Sequence, residues 1–135
     1  VIGLGKRWQW PPYLSNGLQV TGWIVVVFGL LLSTWAMLAN KFFSAVVRVQ
    51  LDRDHYVVDT GPYRIVRHPG YAGALLSSIA LPLALDSIWA EIPTLIFVVV
   101  YVLRTYLEDK TLIDELDGYC EYSVVTRYRL FPGIW

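Results

Sequence analysis

Charge is what this chain has least of. Only 16% of its 135 residues are charged, while 56% are hydrophobic and 15% aromatic. Soluble domains carry about 25% charged residues. The mean hydropathy of +0.47 agrees. What charge there is cancels, eleven basic side chains against eleven acidic, so no global basic field exists to hold nucleic acid. Cysteine is nearly absent too, and Cys120 alone excludes an internal disulfide. With only two histidines, His55 and His68, no cluster of metal-ligand spacing forms, and no catalytic metal is expected. The length suits one compact unit spanning residues 1–135, not two. No basic start leads into a short apolar region with a cleavage site, so a removable signal peptide is not expected. The first residue is Val1 rather than methionine, consistent with a chain that begins inside a longer protein and lacks N-terminal helices.

What the chain does have is apolar length. Leu18 to Ala39 contains no charged residue, and at about 1.5 Å per residue such a run crosses a hydrocarbon core roughly 30 Å thick. So small a chain cannot easily hide an all-round apolar helix inside a soluble core. Residues 1–17, with Trp8, Trp10 and Pro11-Pro12, show little helical pattern and suit an interfacial lead-in. Tyr71 to Leu85 and Ile92 to Leu103 form a second apolar hairpin that turns at Asp86-Ser87. Each arm is short for a full span, unless the second continues as a helix past Arg104 to about Leu116. The expected fold is all-α and membrane-integral, with about three transmembrane helices. Nine of the eleven basic residues then fall on one side, which the positive-inside bias assigns to the cytoplasm.

Two polar clusters bracket that hairpin. The first is Gly61-Pro62-Tyr63-Arg64-Ile65-Val66-Arg67-His68-Pro69-Gly70-Tyr71, preceded by the β-flavoured Tyr56-Val57-Val58. Polar groups at the mouth of a hydrocarbon-embedded helix are costly unless they bind something. Pro69 suits the first position of a helix, whose N-terminal N–H groups favour an anion. Gly70 and Gly73 allow close approach of a ligand or a neighbouring helix. The second cluster is Arg104 with Glu108, four residues apart and hence on one helix face. A plain ion pair at a helix end is one reading of it. The other is a ligand site, with the carboxylate suited to an ammonium or ribose hydroxyl and the guanidinium to a carboxylate. The residues by themselves lead to a cytoplasm-facing polar pocket for a small zwitterion.

The ordered elements His55-Tyr56-Val57-Val58, Thr60-Gly61-Pro62-Tyr63 and Arg67-His68-Pro69-Gly70-Tyr71 with Gly73 resemble the core motif of the isoprenylcysteine carboxyl methyltransferase family. Arg104-x-x-x-Glu108, Tyr119 with Tyr122, and Arg129-Leu130-Phe131-Pro132 follow in the same order. Related membrane methyltransferases acting on phospholipids or small thiols share the pattern. The resemblance covers residues 40–135 and implies a catalytic core there that binds S-adenosylmethionine. The pocket would be formed by the polar connection with the C-terminal helix and tail. It assigns Gln50, His55, Tyr56, Val57, Val58, Tyr63, His68, Pro69, Gly70, Tyr71 and Glu108 to the cofactor. It assigns Arg104 to orienting the methyl acceptor, Asn40 to the acceptor side, and Arg104 with Glu108 to catalysis. Tyr122 and Arg129 would support from a tail that closes over the cofactor. Asp109-Lys110 departs from the glutamates usual after Glu108, and Leu116-Asp117-Gly118 from the usual Phe-Gly.

The implied function is S-adenosylmethionine-dependent methyl transfer to a hydrophobic or prenylated acceptor in the lipid bilayer, most like isoprenylcysteine carboxyl O-methylation. Phospholipid or small-thiol methylation is an alternative. So is an NADPH-dependent sterol-type reductase, whose Arg-His-Pro-x-Tyr element usually has Asn where this chain has Gly70. A non-enzymatic membrane subunit is the bland alternative.

Overall fold

In a computed structural model, residues 1–43 and 56–135 are described. Five α-helices make up most of them: α1 (Ile2–Trp8), α2 (Asn16–Ala39), α3 (Pro69–Ala84), α4 (Glu91–Glu115) and α5 (Tyr119–Val125). Short 3-10 turns at Gly61–Arg64 and Ile88–Ala90 precede α3 and α4. Among the described residues there is no strand, and Tyr56-Val57-Val58 has no regular secondary structure.

The fold rests on an antiparallel α2–α3 hairpin. Gly22, Gly29 and Ala36 recur every seven residues on α2, so one stripe of small side chains faces α3 throughout. Gly22 lies against the Ala84 backbone, and Gly29 against Gly73 and Ser77, so tightly that an added Cβ would strike backbone atoms. Serines stitch the contact: Ser77 Oγ donates to the Val26 carbonyl at 3.1 Å, and Ser33 Oγ to the Gly70 carbonyl at 3.0 Å. Helices in lipid associate through small residues and buried hydrogen bonds of this kind, since apolar burial alone gives them little drive.

The outer surfaces are apolar. Candidate spans run over Asn16–Ala39 and Ile88–Glu115, and only 22% and 11% of their apolar windows are buried within the protein. The core helix of a soluble protein would be mostly buried. Here Phe28, Leu31, Trp35, Leu95, Ile96 and Val99 all face outward, as lipid-facing surfaces do. The chain is an all-helical membrane protein. α3, at 16 residues, measures only about 24 Å and is the short member of the frame. α4 is one continuous helix to Glu115, so the second arm of the hairpin is longer than its apolar stretch and carries Arg104 and Glu108 on its final turns. The lead-in also differs from expectation, because Ile2–Trp8 is helical.

The lead-in is pinned at the end where α3 turns towards α4. Asp86 Oδ1 accepts from the Leu14 amide at 2.7 Å and Oδ2 from Lys6 Nζ at 3.1 Å. Trp89 Nε1 donates to the Pro11 carbonyl at 2.7 Å. The Leu14 amide, then Lys6, hold the Asp86 carboxyl below its ordinary range. The polar groups of the two motif clusters collect at the opposite end.

Gly29→Ala should destabilise the purified protein by about 1–3 kcal/mol through overpacking. Gly17→Ala, where a Cβ meets nothing within 4 Å, should stay within about 0.5 kcal/mol. Thermal melts in detergent separate the two.

Candidate active site

The site is built where α2 ends, α3 begins and α4 leaves its apolar stretch. Pro69 takes the first turn of α3, where a missing N–H costs nothing, and His68 sits just outside as the cap residue. The backbone there is tied to the tail: the Arg67 and His68 amides donate to the Tyr128 and Arg129 carbonyls, each at 2.9 Å.

Behind this loop lies Asp109, which is fully buried. Arg67 grips it with a two-pronged contact, Nε to Oδ1 at 2.8 Å and Nη2 to Oδ2 at 2.9 Å. Arg129 Nε adds 2.7 Å to Oδ2, and the Tyr119 hydroxyl 3.0 Å to Oδ1. His68 Nε2 lies 3.1 Å from Oδ1. Arg67 Nη1 also caps the end of α5 by donating to the Ser123, Thr126 and Arg127 carbonyls at 3.1–3.3 Å. A buried carboxylate is tolerable only with such charge pairing and saturated acceptors. Among the described residues no buried side-chain polar atom lacks a partner.

On the cavity side stands Glu108. The Tyr71 hydroxyl donates to its Oε2 at 2.6 Å and accepts from Arg104 Nε at 2.9 Å. The expected Arg104–Glu108 relation is therefore bridged by a tyrosine from α3. His68 stacks nearly parallel on Tyr71, with ring centroids 5.9 Å apart, and its Nδ1 lies 3.9 Å from Glu108 Oε1. Because Nε2 faces a carboxylate, which can only accept, that nitrogen is assigned as the donor.

Tyr63, Tyr119 and Tyr122 complete the wall. Burial pushes the Tyr63 phenol up to about 12, against an opposing hydrogen bond from Asn40. Burial also raises Tyr119 and Tyr122 far above the phenol range, aided at Tyr119 by the Asp109 charge. All three therefore remain hydroxyl donors near neutral pH, and Tyr122 donates to the Tyr63 carbonyl at 2.6 Å.

Of the residues singled out in the sequence, Asn40, Tyr56, Val57, Val58, Tyr63, His68, Gly70, Tyr71 and Glu108 line one cavity. Pro69 is buried behind it as a helix start. Arg104 stands one turn along α4, reaching the site through Tyr71. Gln50 and His55 lie outside the described residues. Asp109 was not anticipated, nor were Arg67 and Tyr119 given roles. The one signal for them was a pair of arginines, Arg67 and Arg129, in the motifs on either side of an acidic residue on α4.

Asp109→Asn leaves the buried Arg67 and the part-buried Arg129 without their counter-charge and should cost about 3–5 kcal/mol. The expected result is a lower melting temperature and proteolytic release of the tail. Asp114→Asn, at an exposed position, should melt like the wild type.

The phospholipid methyltransferase family model matches residues 18–115. Protein-S-isoprenylcysteine O-methyltransferase of Saccharomyces cerevisiae is 31% identical over 97 residues, covering 71% of this chain and 38% of that protein. Form B of the Arabidopsis thaliana protein of that name is 30% identical over 78 residues, covering 57% of this chain and 36% of the relative. The solved structure of a eukaryotic intramembrane Ras methyltransferase, an isoprenylcysteine carboxyl methyltransferase, superposes with a TM-score of 0.71. At 29% identity it covers 81% of this chain and 40% of that one. The chain thus spans well under half the length of the relatives it matches. The motifs, the helical frame and these matches agree that the chain belongs to the phospholipid methyltransferase family and is similar to isoprenylcysteine O-methyltransferases.

Proposed function

We propose that this protein transfers a methyl group from S-adenosylmethionine to the carboxylate of a lipid-linked, isoprenylcysteine-like acceptor. The observation that carries the reading is the Arg104–Tyr71–Glu108 chain at the cavity wall. It sets an anion facing the cavity and a cation one turn away, towards the lipid-facing length of α4. A zwitterionic donor and an anionic acceptor need that division of charge.

The residues present fit the donor. Glu108 retains acceptor capacity for an ammonium or a ribose diol, since its side chain is 23% exposed and is not saturated as Asp109 is. The aromatic walls of Tyr63 and Tyr71 suit a sulfonium, because ring faces attract cations. When bound, S-adenosylmethionine supplies a methyl group already activated by its positive sulfur, so the chain needs no strong base. Its residues align and exclude water. Holding reacting groups in line near 3–3.5 Å can contribute about 7–11 kcal/mol. Arg104 steers an ionised acceptor by charge and hydrogen bonds. The same guanidinium repels an ammonium-bearing headgroup, which favours a carboxylate acceptor over a phospholipid amine.

Orientation follows the same logic. Lys41, Arg64, Arg67, Lys110, Arg127 and Arg129 gather around the cavity end, while Lys6 contacts Asp86 at the other. The positive-inside bias supports a site open to the cytoplasm.

Labelled methyl transfer to a farnesylcysteine analogue tests the reading. Glu108→Gln should raise the donor KM, and Arg104→Met the acceptor KM, each lowering kcat/KM by about 10- to 100-fold, as loss of a charged hydrogen bond does. Full activity in both variants would refute the roles. Transfer to phosphatidylethanolamine but not to farnesylcysteine would reassign the acceptor.

A further inference from the structure

We propose that the Tyr71 hydroxyl is a positioning group that holds Arg104 and Glu108 apart, so that neither charge cancels the other. The inference rests on the reading in which Glu108 grips the donor. Residues four apart on one helix meet, and an arginine and a glutamate there attract. A direct pair would spend the Glu108 charge on the guanidinium and the guanidinium on Glu108, leaving both weakened toward ligands.

Tyr71 intervenes from α3. A phenol has one proton to donate and lone pairs to accept with, whereas arginine only donates. Between these two side chains the hydroxyl has one consistent arrangement, accepting from Arg104 Nε and donating to Glu108 Oε2. The ring cannot easily swing away. It is stacked on His68 and meets Tyr101 edge-on at 5.6 Å and 81°. Its helix start is fixed by the amide bonds of Arg67 and His68 to the tail. The hydroxyl is thus held by groups that do not depend on a ligand.

This role differs from simple packing or a simple donor contact, because it depends on Arg104. In Tyr71→Phe the ring stays and the separator goes. Arg104 then captures Glu108 and donor binding falls. Removing Arg104 as well should free Glu108 and restore binding.

Calorimetric titration of S-adenosylmethionine into detergent-purified proteins tests this. Tyr71→Phe should bind about 10- to 100-fold more weakly than wild type, the worth of a charged hydrogen bond. Tyr71→Phe/Arg104→Gln should recover to within about threefold, a coupling that independent sites would not show. A double variant no tighter than the single one would overturn the proposal. Should Tyr71→Phe fail to fold, the double variant carries the test alone and must bind within that same threefold. If Glu108→Gln loses binding while Tyr71→Phe keeps it, only the positioning role falls. If Glu108→Gln binds like wild type, the donor reading falls with it.

Discussion

The carboxylate of Asp109 is the point on which the site end of the molecule depends. It brings together three parts of the chain that are far apart in sequence: the loop before α3 through Arg67 and His68, the last turns of α4, and the tail through Arg129. Removing a carboxylate from water costs several kcal/mol, and two guanidinium groups offset that only when the geometry is good. Here the geometry is good, with fork-like contact from Arg67 and a donor for each remaining acceptor direction. The result is specific placement more than added stability. Any shift of the tail or of the α3 start would strand a buried charge, so both are held in one register.

That register would mean little on a loose frame. The α2–α3 stripe of glycines and alanines sets how far α3 lies from α2, and so the height at which Pro69 begins its helix. Ser33 ties the same turn through the Gly70 carbonyl. Backbone contact makes this distance insensitive to rotamer changes. The hairpin therefore fixes one wall of the cavity, the Asp109 cluster fixes another, and Tyr71 belongs to both.

What could be read from the sequence follows from how local each signal is. The uncharged run from Leu18 to Ala39 announced α2 because lipid solvation acts residue by residue. The full length of α4 agrees with the reading in which the second arm continues past Arg104 to about Leu116, because Arg104 and Glu108, four apart, share one face of a continuing helix whose polar turns face the cavity. α1 was missed because Gly3 and Gly5 weaken its pattern, and its helix is tied down only by contacts such as Lys6 with Asp86. The two polar motifs could be recognised as clusters, yet their convergence on one cavity depends on the hairpin that brings Tyr71 beside Glu108. Asp109 was illegible for a related reason. Its partners lie 10 to 42 positions away, and the tail that supplies Arg129 reaches it only after α5 turns back at Gly118, whose φ of +80° suits glycine.

Glu108 and Asp109 are adjacent acids on one helix, yet their environments assign them opposite tasks. One residue along an α-helix rotates the side chain by about 100°, enough to turn Asp109 toward the tail and leave Glu108 toward the cavity. Asp109 meets guanidinium, imidazole and phenol donors from several directions, so no ligand could compete for it without displacing the protein's own groups. Glu108 is met by the Tyr71 hydroxyl and stands 3.9 Å from His68, which leaves lone pairs turned toward the space that a ligand would fill. A carboxylate that is partly satisfied and partly exposed can exchange solvent for a ligand at modest cost, whereas a saturated one cannot. The structural acid locks the wall in place, and the neighbouring acid can then be kept incompletely paired without the site rearranging to neutralise it.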